Sequence, residues 1–153
     1  MDALELLKAD HRKVGDLFAQ VNATEDEKQH QQLFEQIKCE LEIHSHIEET
    51  VLYPTFEKYG ELKAIVLEAY EEHKQVKTLI DEITALSEGS GRFDAKLKVM
   101  GKNVRQHVKE EEDGMFPAAK KFLDGRRLEQ LGQELEEAKR QFVTPSRKHA
   151  SAG

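Results

Sequence analysis

Apolar residues recur at three- and four-residue intervals along four long stretches of the chain, the period of a helix face rather than of a strand. The first stripe is Leu4, Leu7, His11, Val14, Phe18 and Val21, and the second is Leu33, Ile37, Leu41, His44, Glu48 and Val51. The third runs Leu62, Val66, Ala69, His73, Val76, Ile80 and Ile83, and the fourth Phe93, Leu97, Met100, Val104, His107 and Glu111. Each stripe predicts an amphipathic helix with its apolar side inward, and each has a histidine in its middle.

Start and stop signals divide the stripes. Asp2 is a candidate N-cap for a helix reaching about Asn22, and Thr24 with Glu27 forms a capping box opening the next. Pro54 predicts a kink or an end, and Gly60 a C-cap. The third helix is expected over residues 62–87, with Gly89 and Gly91 in the turn; the fourth begins near Phe93, Pro117 repeats Pro54, and Gly125 is the stop. A fifth amphipathic segment, residues 126–142, carries Leu128, Leu131, Leu135 and Phe142 ahead of Pro145.

The fold class expected is all-α, an antiparallel four-helix bundle with a short fifth C-terminal helix. Residues 1–125 form the bundle, 126–143 pack on it, and 144–153 form a polar, disordered tail. His73 and His107 lie equally far from their turn, as facing residues of a hairpin should. His11 and His44 do not, so either the first connection extends past Thr24 or the helices shift.

The stripes are also two copies of one hairpin. His44 and Glu48 precede Tyr53-Pro54 as His107 and Glu111 precede Phe116-Pro117, and Asp10-His11 is echoed by Glu72-His73. On a helix, the i, i+4 spacing puts each His-Glu pair on one face, one turn apart.

A lone histidine on an apolar stripe is ordinarily a neutral core residue. Four such histidines, two of them followed by an inward glutamate, ask for a different explanation, because each buried carboxylate without a cation costs several kcal/mol. His11, His44, Glu48, His73, His107 and Glu111 are therefore candidate metal ligands. Two histidines per metal, with Glu48 and Glu111 bridging and a solvent-derived oxo or hydroxo bridge, leave one open position on each ion. The donor set lacks thiolate and suits iron, or manganese, better than a structural zinc.

The pattern His11, His44-x-x-x-Glu48, His73, His107-x-x-x-Glu111 resembles the hemerythrin-like family of cation-binding HHE domains over residues 4–123. That resemblance implies an up-down-up-down bundle around a non-haem di-iron centre that meets oxygen species. Zinc or manganese are possible substitutes for the two irons. The ferritin-like alternative needs Glu three residues before His, where this chain has Lys8, Leu41, Tyr70 and Val104. The oxygen-carrying hemerythrins have a further histidine where Ala69 stands, and an Asp where Glu112 stands beside the better-spaced Glu111. The loss of one histidine points away from simple oxygen carriage.

Other residues rank lower. Tyr70, one turn before His73, is the best candidate neighbour of the ligands; His46 and Glu49 face about 100° or more away from the stripe. Tyr53 and Phe116 read as packing, His30 and His149 as solvated, and Cys39 as a half-buried helix residue.

Composition narrows the function. In 153 residues, 38% hydrophobic and 35% charged, a formal charge of -7 argues against nucleic acid or an anionic membrane as partner. Apolar runs are too short to span a bilayer, a secretion signal is not evident, and a single cysteine fits a reducing compartment, so a cytoplasmic protein is expected, monomeric or weakly self-associating. The leading expectation is a non-haem di-iron protein that reacts with small oxidants, above all hydrogen peroxide, with catalase- or peroxidase-like activity in oxidative or nitrosative stress. The alternatives are binding, sensing or storage of O2, NO or iron without turnover, and a helical interaction module with a vestigial site.

Overall fold

The computed structural model describes residues 1–86 and 90–142. Among them the regular structure is helical and no strand occurs. In order come α1 (Ala3–Ala23), α2 (Glu27–Ile47), a π-helical turn at Glu48–Leu52, and α3 (Tyr53–Phe56). Then follow α4 (Gly60–Ala85), α5 (Gly91–Glu110), a second π-helical turn at Glu111–Met115, α6 (Phe116–Ala119) and α7 (Gly125–Gln141). Helices α1, α2, α4 and α5 make the up-down-up-down bundle, and α7 packs on α1, α2 and the first π turn.

Short polar side chains begin these helices by satisfying backbone donors that have no partner inside the helix. Asp2 and Glu5 form a reciprocal capping box on α1. On α2 the cap is Asp26, which accepts from the Lys28 and Gln29 amides, rather than the box expected from Thr24; Thr24 accepts instead from the Asp26 amide. The first connection therefore does extend past Thr24.

Gly60 and Gly125 open α4 and α7 rather than ending the preceding segments. Asp124 explains the second case, since its carboxylate caps the Arg127 amide. Gly89, Pro145, His149 and the expected tail fall outside the described residues.

The two prolines do not simply break their helices. The Tyr53 amide bonds the carbonyl of Glu48, five residues back, and the Phe116 amide bonds that of Glu111 in the same way. The backbone has widened by one residue before each proline, where the missing N–H would otherwise leave a carbonyl bare. Both widened turns begin on a candidate ligand.

The core is split by the histidines. One apolar cluster takes Leu4, Leu7, Ile47, Leu52, Phe56, Leu62, Val66, Met115, Phe116 and the α7 leucines 128, 131 and 135. The other takes Val14, Phe18, Val21, Phe34, Ile37, Ile80, Ile83, Phe93, Leu97 and Met100. His11, His44, His73 and His107 sit on their helices between the two, so the candidate site is a polar layer sealed at both ends.

The fifth helix is docked, with Leu131, Gly132 and Leu135 buried. A Cβ on Gly132 would stand 2.5 Å from the Met1 carbonyl oxygen, so this close approach to the start of α1 needs glycine. Two contacts fasten the far end of the helix: Phe142 stacks on His46 at 4.4 Å between ring centroids, and Lys139 reaches Asp10.

Candidate metal centre

All six residues singled out by the stripes meet in the polar layer. His11, His44, Glu48 and Glu111 bring one ligand atom each to within 4.8 Å of one another, and so do Glu48, His73, His107 and Glu111. The two sets share both glutamates. Glu48 Oε1 lies 3.4 Å from His44 Nε2 and 3.1 Å from His73 Nε2; Glu111 places Oε1 3.1 Å from His11 Nε2 and Oε2 3.3 Å from His107 Nε2.

Whether a cation fits is decided by the atoms left over. His11 Nε2, His44 Nε2, Glu48 Oε2 and Glu111 Oε1 are buried without a hydrogen-bond partner, and all four belong to the first set. Such groups are costly unless something charged joins them. Nitrogen and carboxylate oxygen donors converging in this way suit a divalent or trivalent ion.

Charge supports the same reading. Glu48 is fully buried, yet its carboxyl is held well below the usual range: burial raises it, but the His44 charge and hydrogen bonds from His44 and His73 outweigh that. Burial lowers His44, while the Glu48 carboxylate and Asp10 push it up to about 10. His107 goes up to about 11 on the same balance, with Glu111 and Glu72 opposing its burial.

Around the six stands a second set that the stripes did not reveal. Each histidine turns its Nδ1 to a carboxylate: His11 to Glu112 at 2.6 Å, His44 to Asp10 at 3.2 Å, His73 to Glu49 at 2.8 Å and His107 to Glu72 at 2.6 Å. Such contacts fix the tautomer and aim Nε2 at the centre.

These four acids obey the twofold echo, since each is the sequence neighbour of a candidate ligand. Asp10 and Glu72 precede His11 and His73; Glu49 and Glu112 follow Glu48 and Glu111. Each holds a histidine on another helix, which explains why a face count on its own helix missed it.

Tyr53 was also missed. Its hydroxyl donates to Glu111 Oε2 at 2.5 Å and to Glu48 Oε1 at 3.2 Å, and it lies 3.3 Å from His73 Nε2 and 3.4 Å from His107 Nε2. The widened turn is what brings residue 53 back onto the ligand face. Burial and the two carboxylates raise the phenol well above its usual range. Tyr70 does not reach the ligands and packs edge-on against Tyr53 instead, with ring centroids 5.2 Å apart. His46 lies outside the cluster, on Phe142.

His30, expected in solvent, is buried. Its Nδ1 faces Asp94 at 2.8 Å and its Nε2 faces the carbonyls of Thr24 and Val21, which fastens α2 to α5 and to the end of α1.

Beside the centre is a cavity of about 30 Å³ walled by Val14, Leu41, Val76, Val104 and Val108, with all four candidate ligand histidines at its edge.

A four-helix bundle with a buried, shared histidine-carboxylate layer defines a class of cation-binding helical proteins. The model of the Hemerythrin HHE cation binding domain matches residues 2–119, and the chain belongs to that family. An HHE cation-binding domain-containing protein from Mycobacterium kansasii has a similar crystal structure, with a TM-score of 0.79, 25% identity, and coverage of 99% of this chain and 91% of that one.

Two further proteins are similar in sequence. A DNA nickase of Nostoc sp. is 32% identical over 140 residues, which are 91% of this chain and 39% of that protein's length. An uncharacterised hemerythrin-like protein of Schizosaccharomyces pombe is 29% identical over 145 residues, 94% of this chain and 70% of that one. No helix among the described residues is long and apolar enough to cross a membrane.

Proposed function

We propose that the protein is a non-haem di-iron protein that decomposes hydrogen peroxide. His11 and His44 would hold one iron and His73 and His107 the other, with Glu48 and Glu111 shared between them. When bound, the pair of irons would take two electrons from one H2O2 and return them to a second, so that two H2O2 become O2 and two H2O.

The observation that carries this reading is the cavity of about 30 Å³ at the four histidines. Its valine and leucine walls leave room for a small ligand such as a peroxide or a diatomic. Tyr53 adds a proton donor on the His73 and His107 side, held 2.5 Å from Glu111.

Ala69 stands where the oxygen carriers have a histidine, so reversible carriage is the weaker reading. The DNA nicking of the Nostoc relative lies outside this proposal, because the match covers 39% of that protein and a formal charge of -7 opposes a polyanionic partner.

Peroxide consumption by the iron-loaded protein tests the proposal. Rapid decomposition without a long-lived oxygen adduct is expected. Tight binding of O2 or NO with no peroxide turnover would replace it by a sensor or store.

A further inference from the structure

The four carboxylates that orient the histidines are not equivalent. Glu112, Glu49 and Glu72 lie 2.6 to 2.8 Å from their imidazoles, whereas Asp10 lies 3.2 Å from His44. Among the described residues, Asp10 is also the member of the four that takes a salt bridge from a lysine: Lys139 Nζ of α7 donates to its Oδ1 at 2.6 Å. The shorter contact is to the ammonium, and the longer one is to the ligand histidine.

A carboxylate that hydrogen-bonds an imidazole makes the opposite nitrogen a better donor to metal. When an ammonium shares that carboxylate, less negative charge remains for the imidazole, by simple Coulomb attraction. Asp10 is buried, so solvent screens this competition only in part.

We infer that Lys139, through its hold on Asp10, makes the His11 and His44 position the more weakly bound of the two metal positions. The fifth helix thereby sets an inequality that the twofold echo of the bundle would not produce. Lys139 acts here as a positioning residue and touches no metal itself.

This inference rests on the two-metal reading above, and the experiment separates the two. The protein is loaded anaerobically with ferrous iron and challenged with excess ferrous chelator, and iron release is followed in time. The wild type releases its two irons in a faster and a slower phase. Lys139→Met keeps the apolar stem and leaves Asp10 to His44 alone, so the fast phase slows several-fold, toward the ~10-fold scale of such outer contacts. Lys139→Arg keeps the wild-type phases.

In an Asp10→Asn background, which lacks the carboxylate, Lys139→Met has no effect on release. That null result separates action through Asp10 from a general loosening of α7. Melting of the metal-free variants checks that each folds.

A fast phase in Lys139→Met as quick as or quicker than in the wild type overturns the role of Lys139. So does an equal effect of Lys139→Met in the Asp10→Asn background. One iron per chain in the wild type overturns the two-metal reading instead.

Discussion

Tyr53 donates a 2.5 Å hydrogen bond to Glu111, while Phe116, which holds the same place 63 residues on, stacks on His11 and has no hydroxyl to offer. At this position the two halves of the centre differ by one hydroxyl group. The two candidate ligand histidines whose Nε2 lacks a hydrogen-bond partner, His11 and His44, both belong to the Phe116 half.

Tyr53→Phe should therefore take from Glu111 Oε2 its shortest hydrogen bond in the metal-free protein, leaving His107 Nε2 at 3.3 Å. Losing a hydrogen bond to a charged group costs about 1.5–3 kcal/mol. Urea unfolding of the metal-free variant should show a loss of that size, and no loss would mean that the phenol is incidental.

Metal uptake should release protons. His44 and His107 are raised to about 10 and 11 in the metal-free protein, so both are charged at neutral pH, and a metal can bind their Nε2 only as the proton leaves. Calorimetry in buffers of different ionisation enthalpy should show this release at pH 7, with affinity rising as pH rises. Uptake without proton release would contradict it.

His30 should make stability depend on pH. Both ring nitrogens face acceptors, and although burial works against the charge, Asp94 and the Thr24 and Val21 carbonyls raise its pKa above the ordinary 6.5. A raised folded-state pKa contributes stability that is full below 6.5 and is lost as pH climbs through the raised value. His30→Gln should be less stable than the wild type at pH 6, with the gap narrowing at higher pH; a gap that widens with pH would be the wrong sign.

Gly132→Ala should loosen the fifth helix. The added methyl would meet the backbone of Met1, and overpacking of this kind costs about 1–3 kcal/mol. Hydrogen exchange should show faster opening of residues 125–141 in the variant than in the wild type.

The bundle was legible because each helix turns a 3.6-residue apolar stripe inward, and the six residues that meet in the polar layer because they interrupt those stripes. Asp10, Glu49, Glu72 and Glu112 were not, since each sits one residue off its own stripe and meets a histidine only after the helices pack. Tyr53 was hidden by the widened turn, which shifts the count of residues per turn after Glu48. Gly60 and Gly125 looked like helix stops because glycine is common there, yet both stand just after an extended residue that begins a helix.

The central claim is that Glu48 and Glu111 are shared by two metal ions, and metal analysis of iron-loaded wild type beside Glu48→Ala tests it most directly. The shared glutamate predicts two irons per chain in the wild type, and loss of the pair together with peroxide consumption in the variant. One zinc and no iron in the wild type, or two irons and normal peroxide turnover in Glu48→Ala, would contradict it.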